Sequence, residues 1–194
     1  MSSVQNALLF TIQTIFSFYI MIVLFRFMLQ LVKADFRNPL AQFTVKITNP
    51  LLIPLRKIIP GYAKVDWAAL VLALLLQGIE LYLILLVKGF GVAASAVSIG
   101  GLCIWSIGEL LDLVLAFLFF ATLIQVVYSW IQPGQYHPSI MLLQKITEPL
   151  YRPIHKILPN FGMIDMSPIV LIFLISISRM LVADPVVAFG QSLI

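Results

Sequence analysis

The stretch Phe36–Pro60, FRNPLAQFTVKITNPLLIPLRKIIP, returns at Tyr136–Pro159 as YHPSIMLLQKITEPLYRPIHKILP. An offset of 99 residues aligns the two without a gap, with 11 identities over the 29 positions from Asn38 to Asp66. Four are prolines: Pro39/Pro138, Pro50/Pro149, Pro54/Pro153 and Pro60/Pro159. Thr48/Thr147, Lys46/Lys145, Lys57/Lys156 and Asp66/Asp165 hold the same register. Prolines kept in ungapped register mark a tandem duplication, and the halves are expected at 1–99 and 100–194.

Outside these two connections the chain is apolar. Of its 194 residues 61% are hydrophobic and 10% charged, against about half and about a quarter in an ordinary soluble domain. So few charges cannot cover a water-facing surface, which excludes a soluble fold. Continuous apolar runs rather than alternating ones exclude a transmembrane β-barrel. Four runs are long enough to cross about 30 Å of hydrocarbon: residues 7–32, 67–87, 110–131 and 166–183. The expected fold is an all-α membrane protein, four transmembrane helices in two tandem two-span repeats. Residues 92–107, rich in Ala and Gly, are short for a crossing and are expected to form a shallow or re-entrant segment. Met1–Asn6 carries no side-chain charge and lacks a basic n-region, so the first apolar run is expected to remain as an anchor.

Nine of the twelve Lys and Arg residues lie in the two connections: Lys33, Arg37, Lys46, Arg56, Lys57, Lys64, Lys145, Arg152 and Lys156. The positive-inside rule then puts both connections in the cytoplasm and both termini outside. Two spans per unit insert the second copy the same way up as the first. Each connection starts with a proline suited to a helix N-terminus. Leu40, Phe43 and Ile47 form an apolar stripe, matched by Ile140, Leu143 and Ile146. Pro50 and Pro54, and Pro149 and Pro153, are expected to break the helix, because proline lacks an N–H and clashes with the preceding turn. The connection reads as a proline-broken, amphipathic, interfacial segment with a basic face, or as a re-entrant element packed on the spans. Lys46, Arg56, Lys57, Lys145, Arg152 and Lys156 are the candidate contacts for anionic lipid or a partner.

Asp66 and Asp165 each stand just before a span, where a carboxylate caps free N–H groups or takes part in an ion site. Arg26, Glu80, Asp112 and Arg179 are charges within the spans, and intramembrane charge suggests function. Glu80 and Arg179 are repeat equivalents at matched depth. They are expected to pair across the halves, with Asp112 as the competing partner and outward snorkelling as the alternative.

No Gly-rich phosphate loop, H-E-x-x-H or cysteine cluster occurs, so no catalytic, cofactor-binding or metal residues are nominated. His137 and His155 both lie outside the spans, and the lone Cys103 allows no internal disulfide. An enzyme and direct nucleic-acid contact are not expected.

The repeated core T-x-P-h-h-x-P-h-R-R/K-h-h-P followed by Asp, at Thr48–Pro60 with Asp66 and at Thr147–Pro159 with Asp165, resembles the YggT family of small integral membrane proteins. The resemblance covers essentially the whole chain. It implies a bacterial inner-membrane protein linked to osmotic or extracytoplasmic stress or to cell-envelope organisation, with no established catalytic residues. Two positions depart from the pattern: Ala68-Ala69 replaces the Ser-Pro kept at Ser167-Pro168, and His155 stands where Arg is usual. If the basic pairs bind phosphate, the second copy binds it more weakly. The functional expectation is a non-enzymatic scaffold or assembly factor contacting lipid, a membrane-protein partner or another copy of itself. A small channel or transporter in ion or osmotic balance is the alternative.

Overall fold

The structure is a computed structural model describing residues 3–59, 61, 65–89, 98–132, 137–157 and 165–194. The elements follow as α1 (Ser3–Leu31), α2 (Pro39–Ile58), α3 (Trp67–Val87), α4 (Ile99–Ile131), α5 (Pro138–Ile157) and α6 (Ser167–Ser178). A π-helical turn (Arg179–Ala183) and α7 (Asp184–Ser192) complete the chain. Four helical runs are long and apolar enough to cross a membrane: α1, α3, α4 and the continuous run Ser167–Ser192.

The two connections are unbroken helices, which corrects the expectation for Pro50, Pro54, Pro149 and Pro153; Pro60 and Pro159 lie outside the described residues. The interior prolines sit four residues apart on the exposed side of α2 and α5. Side chains also donate to backbone carbonyls on the buried side of the two helices. Around Pro50, Tyr19 Oη donates to the Ile47 carbonyl at 3.3 Å and Arg26 Nη1 to the Val45 carbonyl at 3.4 Å. Near Pro149, the Thr147 hydroxyl donates to the Leu143 carbonyl at 3.1 Å. At the start of α2, Asn38 Oδ1 accepts from the Leu40 N–H at 2.9 Å, with Pro39 in the first turn.

The buried face of α2 also differs from the expected stripe. Ala41, Thr44, Thr48 and Leu52 face the bundle, whereas Phe43 is exposed. Small side chains let the helix lie close to its neighbours, while a lipid-facing surface places no limit on a phenylalanine. In α5 the buried residues include Leu143 and Ile146 of the expected stripe.

Residues Ile99–Ile107 belong to the 33-residue helix α4, not to a shallow or re-entrant segment; residues 92–97 lie outside the described residues. The small residues here serve helix packing. A β-carbon on Gly108 would stand 2.7 Å from Val187 Cγ2 and 2.8 Å from the Val187 nitrogen, and one on Gly101 2.9 Å from Leu193 Cβ. A β-carbon on Gly190 would run into the Trp105 backbone. Glycine lets α4 and α7 meet backbone to backbone, the close contact that membrane helices use in place of a hydrophobic drive. At 1.5 Å per residue α4 is about 50 Å long, well beyond the hydrocarbon thickness.

The last run also passes the expected end at Ala183. The Asp184 N–H bonds the Arg179 carbonyl five residues back, opening a π turn just before Pro185. A widened turn accommodates the missing proline N–H, and the helix continues as α7.

Both connections lie at one end of the bundle. Lys145 Nζ donates to the Lys33 carbonyl at 2.8 Å. Ala41 and Leu52 of α2 share one core with Leu142 and Ile146 of α5, and with Met28 and Leu29 of α1. The halves meet chiefly where α3 packs on α4, with Leu81, Ile84 and Leu85 against Trp105, and also through α1 and α4, where the rings of Phe25 and Phe117 stand 5.4 Å apart.

Candidate functional site

Each repeat opens a pocket at the connection end, between its first span and the following amphipathic helix, with Pro168, Ile169 and Ile172 of α6 as a further wall in the second repeat. In the first repeat the pocket encloses about 530 Å³ and is lined by residues including Arg26, Gln30, Lys46, Asn49 and Arg56. Arg26 is buried, held by α1 where it faces the inner side of α2. Its Nη1 donates to Thr48 Oγ1 and, at 2.8 Å, to Asn49 Oδ1. Arg56 Nη2 donates to Asp66 Oδ2 and, at 3.3 Å, to Gln30 Oε1. Asp66 is buried, and its Oδ1 accepts from the Ala69 N–H at 3.4 Å, so one carboxylate caps α3 and anchors Arg56. The wall carries three cations, one of them offset by Asp66. Such a cavity suits a phosphate or another compact anion.

The second repeat builds the equivalent pocket from different chemistry. It encloses about 800 Å³, and its walls include Gln125, Ser129, Gln144, Glu148, His155 and Asp165. By the 99-residue offset, Gln125 stands for Arg26, Ser129 for Gln30, Gln144 for Val45, Glu148 for Asn49 and His155 for Arg56. Gln125 Nε2 donates to Thr147 Oγ1 at 3.1 Å, repeating the Arg26–Thr48 bond without its charge. His155 Nε2 lies 3.7 Å from Asp165 Oδ2 where the first repeat has Arg56 and Asp66. The His155 ring stacks on Tyr151 with centroids 5.6 Å apart. Burial pushes the Tyr151 hydroxyl up and nearby Asp165 adds to it, against a hydrogen bond with Thr122. Burial also acts to raise the Asp165 carboxyl. The Ser167 N–H, 2.9 Å from Oδ1, the Ser167 hydroxyl and His155 outweigh it and hold the group below its ordinary value. Duplication has thus left one cationic pocket and one with two carboxylates.

The other nominated residues are spread out. Lys46, Lys57 and Lys156 are exposed. Arg152 pairs with Glu148 at 3.2 Å along α5. Pro39 and Pro138 begin α2 and α5. Among the charges within the spans, Glu80 and Arg179 do not pair. Arg179 forms a two-pronged ion pair with Asp112, Nε–Oδ1 2.7 Å and Nη2–Oδ2 2.9 Å. Glu80 accepts from Ser17 Oγ at 3.4 Å and Gln77 Nε2 at 3.0 Å. Each charge is met inside its own repeat because α3 lies along α1, and the last span along α4. Among the described residues no group of three or more His, Cys, Asp or Glu could hold a metal.

The family model described as CCB3/YggT matches residues 5–87 and again residues 104–186, the two matches separated by the same 99-residue offset. The chain belongs to the CCB3/YggT family. An uncharacterised protein of Pseudomonas aeruginosa is 46% identical over 188 residues, covering 97% of this chain and 94% of the relative. The uncharacterised protein YggT of Escherichia coli K12 is 34% identical over 190 residues, covering 98% of this chain and 96% of the relative. A relative from Vibrio alginolyticus is 34% identical over 180 residues, covering 93% of this chain and 95% of the relative. No solved structure matches.

Within this CCB3/YggT chain, sequence reasoning passed over Gln125, Asn49, Tyr19, Ser17 and Gln77. The offset that pairs Thr48 with Thr147 also pairs Arg26 with Gln125, so the second pocket was open to the same arithmetic. Ser17 and Gln77 carry no such signal, since uncharged polar residues in an apolar run declare no partner.

Proposed function

We propose that this chain is a non-enzymatic scaffold or assembly factor of the bacterial inner membrane, serving osmotic or extracytoplasmic stress tolerance or cell-envelope organisation. It seats the phosphate of an anionic phospholipid in the pocket between α1 and α2. The observation that supports this reading is the buried Arg26 beside Arg56 and Lys46 around a cavity of about 530 Å³. The connections face the cytoplasm and the termini face outward. Single cysteines at Lys57 and Lys156, in a Cys103→Ser background, should resist an impermeant thiol reagent applied from outside; labelling of either would overturn the orientation.

Lys46 tests the lipid reading because it is exposed and lines the first pocket. Native mass spectrometry of the purified chain with phosphatidylglycerol should show about fivefold weaker binding for Lys46→Gln, from about 1 kcal/mol per cation near an anionic headgroup. Lys145→Gln, the repeat equivalent, should change it less. Equal loss at both positions would reduce the site to diffuse surface charge and remove the pocket from the argument. A small channel or transporter is the second reading, favoured by the carboxylate of Glu80 inside the bundle.

A further inference from the structure

Glu80 is the only charged residue of α3, it is 4% exposed, and its hydrogen bonds come from neutral groups. It stands 13 residues into a 21-residue span, about 20 Å along the helix from Trp67 and about 10 Å from Val87. α1 contributes the Ser17 hydroxyl and no cation, its one charged residue being Arg26, which is committed to α2. α4 contributes Glu109, close enough to act electrostatically on Glu80 and itself accepting from Trp105 Nε1 at 2.9 Å. The other acid of α4, Asp112, is taken up by Arg179. Ser106 Oγ is turned back onto the Leu102 carbonyl at 2.8 Å.

A second observation points to a ligand. Gln77 is 3% exposed; its Nε2 bonds Glu80, while its Oε1 is buried with no hydrogen-bond partner. The amide oxygen and the carboxylate therefore stand together, with more acceptors than the surrounding donors can meet. An unpaired buried acceptor is costly, and an unpaired carboxylate inside a bilayer more so. A small positively charged species relieves both at once.

We propose that Glu80, Gln77 Oε1 and Ser17 form an intramembrane site for a small monovalent cation, a proton or a sodium ion. The two share one chemistry here, neutralisation of the carboxylate by a species small enough to sit among α1, α3 and α4. A proton converts Glu80 to a carboxylic acid that donates a hydrogen bond; sodium is ligated by the carboxylate and the amide oxygen. The site is separate from the lipid pocket, so loss of phosphatidylglycerol binding leaves it standing.

The test uses the full chain in nanodiscs of zwitterionic lipid, with carbon-13 in its three glutamates, Glu80, Glu109 and Glu148. A Glu109→Gln, Glu148→Gln background leaves Glu80 as the sole labelled acid; because Glu109 acts on Glu80, the band is also followed with Glu109 in place, where its loss in Glu80→Gln assigns it. In choline buffer, infrared spectroscopy should show the carbonyl band of a protonated Glu80 at neutral pH. Loss of the band only on raising the pH, with sodium without effect, assigns a proton. Loss on adding sodium at constant pH, with a rise in Tm that Gln77→Leu abolishes, assigns sodium. Absence of the band down to the lowest pH at which the protein stays folded, with no sodium effect on Tm, would overturn the proposal. The wild-type sodium dependence of Tm supplies that readout if the labelled background fails to fold.

Discussion

Replacing Asp112 by Asn keeps the side chain's shape and removes the charge that meets Arg179. The two contacts, at 2.7 and 2.9 Å, form a fork-to-carboxylate pair. Arg179 lies near the middle of the helical run Ser167–Ser192, about 18–20 Å along the helix from either end. An unpaired Arg at a helix centre costs about 2.5–3.5 kcal/mol on insertion scales. The side chains are 40% and 27% exposed, so Arg179 can swing partly outward once released, and snorkelling recovers part of that cost. Asp112→Asn should therefore destabilise the fold by about 2 kcal/mol, and Arg179→Met by a similar amount from the other side. The double variant should cost well under the sum, because no bare charge remains. Glu80→Gln should add to Arg179→Met within about 0.5 kcal/mol, since Glu80 is bonded to Ser17 and Gln77 instead. Reversible unfolding in mixed micelles, followed by far-ultraviolet circular dichroism, measures all five variants, the three single and the two double ones. Additive Asp112 and Arg179 losses, or a larger coupling between Arg179 and Glu80, would refute the pairing and restore an ion pair between the repeats.

Gly190→Leu should separate α4 from α7, since even a β-carbon there meets the Trp105 backbone; a loss of about 1–3 kcal/mol or more is expected in the same unfolding assay, and an unchanged midpoint would show that the helices are not in contact. Asp165 is held below its ordinary value when folded, so the stability it contributes is present above its unfolded pKa and fades as pH falls through the lower folded one. Asp165→Asn should flatten that acid limb, and an identical limb in the variant would remove Asp165 as a contributor.

The spans, the duplication and the amphipathic connections were legible in the sequence because each rests on a local property. Apolar run length decides whether a helix can cross hydrocarbon, and an ungapped proline register admits little besides duplication. The same register carries Arg26 to Gln125 and Arg56 to His155, so the divergence of the two pockets is written along the chain. Their cavities are not, because a pocket depends on how far α2 and α5 stand from the first span of each repeat.

Three further outcomes were decided only by tertiary packing. Pro50, Pro54, Pro149 and Pro153 read as breaks because a proline removes one backbone donor. Whether the helix survives depends on which side the prolines face, and packing turns all four to the exposed side of α2 and α5. Gly100 and Gly101 read as part of a shallow or re-entrant segment, yet Gly101, like Gly108 beyond that segment, sits where the last helix comes closest. A small residue marks a close approach without naming what approaches. Glu80 and Arg179 are equivalent in the repeat, which placed them at one depth and left their azimuth open. Pairing α3 with α1, and the last span with α4, turned each toward a partner in its own half. Depth follows from counting residues along one helix, but the direction of a charge is set by the neighbour against which that helix packs.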